Sequence, residues 1–460
     1  MRTLMPCLIA AAAVVSSPAA AQSLAPTAQK VAAQALADPT AWTMLENLTT
    51  EIGPRPVGSP ALTRARDWGV ATLKQLGFQN VHVEAFTTGA WSRGAESAEV
   101  VAPYPQKLHV LGLGRSTSTP AGGITAPIVV FHSYQEMLDQ PVGALKGKIA
   151  VVTQVMRKTE DGEGYGAINA QRTQGPVEAA KRGAVAYLIR SLSTEDNREP
   201  HAGAAMPGGI PAAALSPVDA EQLERIVARG QAVTIHLDLQ SSFNPKAEAW
   251  NVVGEIPGRD HPEQVLVVGG HLDSWDPGTG AIDDAAGVAI AAAAAKLAAG
   301  ANPPSRTIRV VMWGSEEQGG SGAAYAAAHK DEAAKIIVAG ESDLGAGQIW
   351  SLRLPKGSMT TPAMTAFRSV LPGLRVIASG EAPNEGGSDI EGLMALSVPF
   401  VDFNQDATRY FDLHHSADDT LDKVKPDELA QNVAVWAAFL YTVANSDIDF
   451  RKTAQEIATK

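Results

Sequence analysis

Residues 263–299 read EQVLVVGGHLDSWDPGTGAIDDAAGVAIAAAAAKLAA, and this stretch decides the fold. It passes from a strand-length apolar run, Val265 to Val268, through an acidic, glycine-rich loop into an alanine-rich helical run. A strand with no polar alternation is one covered on both faces, the habit of a parallel sheet. The runs NVVGEI, TIRVVMW and KIIVAGES on either side share the texture. Strands of this kind alternating with helices predict an α/β fold: a mainly parallel central sheet flanked by helices.

Outward from that core, residues 28–50 and 61–78 carry helical spacing around the turn-rich EIGPRPVGSP, FQNVHVEAF alternates like a strand, and PDELAQNVAVWAAFLYTVAN reads as a long amphipathic helix. At RSTSTPAGG, residues 115–123, the composition turns polar and rich in Gly and Pro, marking a boundary. Beyond it APIVVF, GKIAVVTQ, GAVAYLIR and AVTIHLDL, with helices in VEAAKRG and VDAEQLERIVARG, form a separate β-rich module ending near Ser242.

At 460 residues and 45% hydrophobic content the chain can bury more than one core. Its opening, MRTLMPCLIAAAAVVSSPAAAQS, has one basic residue, a short apolar run and a small-residue cleavage site at Ala19–Ala21, so residues 1–21 read as a signal peptide. The expected mature protein is exported, periplasmic or secreted. Cys7 is the only cysteine, which leaves that mature chain without disulfide, thiolate ligand or cysteine nucleophile. A formal charge of −12 argues against nucleic acid and anionic lipid as partners, and no later segment reaches a membrane-spanning length. GALKGKI and GLGRST fail the nucleotide-binding spacings, and no GxSxG elbow occurs.

In an open α/β sheet, ligands bind beyond the carboxyl ends of the strands. There the chain places His271 and Asp273 after VLVVGG, Glu316 and Glu317 after TIRVVMW, and Asp343 after KIIVAGE; Asp283 opens the following helix, and FDLHHSADDT adds His414 and His415. Imidazoles and carboxylates without thiols suit zinc, with manganese or cobalt as alternatives, in a hydrolytic site. Two cations need a bridging carboxylate, for which Asp283 is the candidate. Adjacent Glu316 and Glu317 point apart, so one can bind metal while the other serves as base. Asp273 can fix the tautomer of His271. Asp283 and Asp284 can also cap the helix, and His82, His109, His132, His201, His236, His261 and His329 read as surface or core.

The ordered motifs HLDSWDPGTGAIDDAAG, MWGSEEQGGSGA, ESDLGAG and HHSADDT, with GPRPVGSP, WSRGAES, LGLGRS and QRTQGPVEAAKRGAVAYLIRS outside them, resemble the co-catalytic zinc aminopeptidase and glutamate carboxypeptidase superfamily, and within it the plasma glutamate carboxypeptidase (carboxypeptidase Q) family. That resemblance implies a zinc exopeptidase fold in two parts, residues 22–118 and 246–460, around a protease-associated insert at 119–245. It implies two zinc ions, one on His271, Asp283 and Asp343 and the other on Asp283, Glu317 and His415, with Glu316 as general base and Asp273 orienting His271. It also implies a homodimer that cleaves short unblocked peptides, chiefly dipeptides. Related aminopeptidases often carry a tyrosine where this chain has His414, so His414 is expected to donate to the oxyanion. Ser388 and Asp389 are candidates for binding a substrate terminus or for a helix cap. An inactive binding ectodomain and a single-zinc glutaminyl cyclase share the scaffold as alternatives.

Overall fold

The structure, a computed structural model, describes residues 18–452; the signal peptide read at residues 1–21 lies, through residue 17, outside the described residues. Among those described, one sheet contains β1 (Gln79–Ala102), β2 (Gln106–Leu108), β3 (Val110–Gly112), β4 (Ile124–Phe131), β5 (Ile149–Val152), β6 (Ala186–Arg190), β7 (Ala212–Leu215), β8 (Thr234–Ile256), β9 (His261–His271), β10 (Arg306–Trp313) and β11 (Ile336–Glu341). Their order is β11-β9-β10-β8-β4-β5-β6-β7-β3, with β1 beside β8 and β2 beside β1. A small second sheet joins β12 (Ile349–Arg353), β13 (Ile377–Ala378) and β14 (Asp402–Gln405).

The fold is mixed α/β, and the large sheet is less parallel than the apolar runs predict. Strands β9, β10 and β11 are parallel, but β8 runs antiparallel to β10, β4 and β1. The cause is the length of β1 and β8, which pair as one ribbon from Gln79 opposite Glu255 to Ala102 opposite Thr234. That ribbon carries the sheet from the site-bearing strands into the parallel set β4-β5-β6-β7.

Alternation of side chains along each strand explains the continuous apolar runs. Leu266 and Val268 of β9, with Ile308, Val310 and Met312 of β10, pack under the helices Ala286–Ala299 and Pro426–Ala444. Val265, Val267 and Val311 face the opposite layer, where Tyr325, Ile390 and Leu393 cover them. The last long helix is not amphipathic, because residues 431–440 are buried all round between the helices Pro18–Ala35 and Ala286–Ala299. The region 124–239 is covered on both faces in the same way, by Leu223 and Ile226 on one side and Met137 and Ala179 on the other.

Candidate metal centre

Three parallel strands end side by side: His271 is the last residue of β9 and pairs with Trp313 at the end of β10, while Glu341 at the end of β11 pairs with Gly269. The loops leaving this edge therefore converge. Close packing is possible because Gly270 and Gly287 have no Cβ; one at Gly270 would press on Val288 N, and one at Gly287 would collide with Ser342 O. Asp284 fills the gap, accepting the N–H of His271 at 2.9 Å and of Gly287 at 3.0 Å, so it acts as the helix cap. Buried Arg55, from GPRPVGSP, pins the acidic loop by donating to Leu272 O at 2.5 Å, Thr279 O at 2.6 Å and Gly280 O at 3.0 Å.

Asp283 stands in the middle. Its Oδ1 lies 3.1 Å from His271 Nε2, which is 3.5 Å from Asp343 Oδ1, and its Oδ2 lies 3.2 Å from His415 Nε2, which is 3.3 Å from Glu317 Oε2. His271, Asp283 and Asp343 form one group whose ligand atoms all lie within 4.8 Å, and Asp283, Glu317 and His415 form another. The structure thus brings together all five residues read as ligands. Asp273 meets the other ring nitrogen of His271: the imidazole Nδ1–H donates to the Asp273 main-chain oxygen at 3.0 Å and lies 3.5 Å from the Asp273 Oδ1, leaving Nε2 to face Asp283. The Asp273 carboxylate also receives the N–H groups of Glu316 at 3.0 Å and Glu317 at 3.3 Å, holding the two glutamates in the turn after β10.

The electrostatics favour cations. Burial opposes charge on both imidazoles, yet Asp343 beside His271 and Glu317 beside His415 hold them above their ordinary value, His415 at about 9. Burial and the neighbouring Asp343 push the Glu316 carboxyl well above its usual range; burial and Asp283 raise Glu317 to about 7. Glu317 Oε1 is buried without a hydrogen bond, and Asp283 Oδ2 and Asp343 Oδ1 face the His415 and His271 imidazoles. Buried carboxylate oxygens left unpaired are costly unless a cation meets them. The residues present therefore fit a pair of divalent ions in nitrogen and oxygen ligation.

Residues 251–440 match the model of peptidase family M28. Carboxypeptidase Q of Mus musculus is 37% identical over 410 residues, covering 87% of this chain and 84% of its own, and that of Homo sapiens is 36% identical over the same shares. The chain belongs to the carboxypeptidase Q family of M28 peptidases. It is a metallopeptidase. A crystal structure of a peptidase M28 precursor from Shewanella amazonensis superposes with a TM-score of 0.90 at 40% identity, over 93% of this chain and 98% of that one. The zinc aminopeptidase of Bacillus subtilis shares the fold at 18% identity, with a TM-score of 0.65 over 89% and 95% of the two chains.

In this carboxypeptidase Q family member the paired sites open into a cavity of about 720 Å³. Glu316 and His414 line it, and neither ring nitrogen of His414 has a hydrogen-bond partner. Burial and the adjacent His415 keep His414 neutral, its pKa well below the ordinary value. Ser388 also lines the cavity, whereas Asp389 turns inward, accepting from Ser321 Oγ at 2.5 Å and Gly322 N at 2.7 Å. Its Oδ1 thereby caps the first turn of the neighbouring helix Ser321–Ala328, while its Oδ2 is buried without a hydrogen bond. Tyr165, Asn169 and Arg172 complete the wall from the segment between β5 and β6. Spacing could not have found them, since they have neither ligand chemistry nor strand-end placement; QRTQGPVEAAKRGAVAYLIRS was the one signal near them. His201, read as surface or core, is buried and touches the site through His414.

Proposed function

We propose that the protein is an exported dinuclear zinc exopeptidase that hydrolyses short unblocked peptides, chiefly dipeptides, and works as a homodimer. The observation that carries this reading is the placement of Asp283 between two ligand groups, one oxygen toward each. His271, Asp283 and Asp343 hold one ion, and Asp283, Glu317 and His415 the other. Bound there, the ions supply Lewis acidity that activates water and polarises the scissile carbonyl.

The rest of the chemistry belongs to the chain. Glu316, fixed in the β10 turn by the Asp273 carboxylate, takes a proton from the attacking water and returns it to the leaving amine. His414, neutral and without a partner, donates one N–H to the carbonyl oxygen as negative charge develops there. A cavity closed on one side by residues 165–173 favours short substrates over long ones, in keeping with a protease-associated insert at 119–245.

The test is a panel of free and terminally blocked dipeptides assayed with metal-loaded enzyme, alongside metal analysis of the purified chain. Cleavage of free dipeptides with two zinc ions per chain is the expected outcome. A single ion with no dipeptide cleavage would overturn the reading.

A further inference from the structure

Of the five proposed ligands, His271, Glu317 and Asp343 stand at or just beyond strand ends, and Asp283 at the start of the helical turn after β9. His415 has no such support. It lies in a segment without strand structure and adopts φ 57°, in the left-handed region that non-glycine residues enter only at a cost.

Residues 158–203 supply the support that the sheet does not. Asp412, 4% exposed, accepts from Thr194 N at 2.6 Å, Thr194 Oγ1 at 2.8 Å and Ser193 Oγ at 3.1 Å, and its Oδ2 pairs with Lys158 Nζ at 2.7 Å. The His201 Nδ1–H donates to His414 O at 3.0 Å, and Ala202 N–H to His415 O at 3.1 Å. Tyr165 stacks on Phe411 with ring centroids 4.2 Å apart. Arg172 Nη1 lies 3.0 Å from His415 Nδ1, in space that exists because Gly203 has no Cβ to collide with both groups.

We propose that Asp412, docked into residues 158–194, is the positioning residue for the Asp283, Glu317 and His415 half-site, which that segment therefore helps to build. The inference rests on the dinuclear reading above. Without Asp412, its donors lose their shared acceptor, the segment shifts, and His415 Nε2 leaves the place where Asp283 and Glu317 meet it. The His271, Asp283 and Asp343 half-site, carried by the ends of β9 and β11, does not depend on this docking.

The experiment is titration of the metal-free full chain with zinc against a chromophoric chelator, and with cobalt(II) followed by its visible absorption, in the wild type and in Asp412→Ala. Wild type should take two ions; Asp412→Ala should hold one at wild-type affinity and the other on the order of 10- to 100-fold more weakly, with the cobalt band of the second ion lost. Two ions bound by Asp412→Ala at wild-type affinity would overturn the proposal, as would equal weakening of both. Should that variant not fold, Lys158→Met and Thr194→Val take its place, each expected to weaken the second ion alone by a smaller factor, and the absence of that selective loss in both would equally overturn it. Fewer than two ions in the wild type would instead sink the dinuclear reading beneath.

Discussion

The two halves of the proposed metal cage are built by different means. His271 and Asp343 sit where β9 and β11 end, so ladder hydrogen bonds shared along the parallel strands set their positions. His415 sits in a segment held by side chains and by contacts with residues 158–203. A strand-end ligand inherits its place from the sheet, while a loop ligand needs separate clamps, each removable by one substitution. Damage in the strand-end region should therefore show first in chemistry, and damage around His415 first in metal binding and stability.

Glu316 belongs to the strand-end region and gives the largest expected effect. Glu316→Gln should lower turnover by about 10²- to 10⁴-fold with metal content unchanged, measured by steady-state kinetics and elemental analysis. Loss of metal together with activity would move Glu316 from base to ligand. His414 shares the second region but not its ligand role, so His414→Ala should cost roughly 10²- to 10³-fold in turnover with little change in KM. An unchanged kcat would reduce His414 to packing against Tyr165 and Tyr410, whose rings it meets at 5.2 Å and 4.9 Å.

A smaller effect sharpens the comparison through pH. Burial holds His201 at about 4, against a value near 6.5 in an unfolded chain. Between those values the unfolded state takes up the proton first, so this contribution is fully present above about pH 6.5 and declines as pH falls toward about 4. Urea unfolding should show the loss of about 2 kcal/mol from pH 6.5 to 5. His201→Asn, which keeps a donor for His414 O, should lack that part of the slope, and an identical profile would contradict it. Smallest is Asp284→Asn, which leaves one side-chain acceptor where His271 N–H and Gly287 N–H now use two, and should cost about 1 kcal/mol in thermal unfolding.

How far the sequence could be read obeys the same division. Val265–Val268, Val310–Trp313 and Ile336–Ala339 announce buried strands by unbroken apolar character, and the polar residues just beyond each strand can be read off directly. The mixed direction of the sheet could not, because β8 runs straight through Asn244-Pro245, where the expected insert at 119–245 ends, and β1 accommodates it with a shift in register between Thr88 and Ala90. The helix Pro426–Ala444 was legible as a helix but not as one buried on every side, since its polar Gln431, Asn432 and Thr442 are satisfied internally. Tyr165, Arg172, His201 and Asp412 act only through contacts far apart in the chain, which no local pattern encodes.

Crystals of the zinc-loaded protein measured at the zinc absorption edge test the cage most directly. Two anomalous peaks about 3.5–4 Å apart should flank the Asp283 carboxylate, one against His271 and Asp343 and the other against Glu317 and His415. A single peak, or a second ion bound away from His415, would contradict the account.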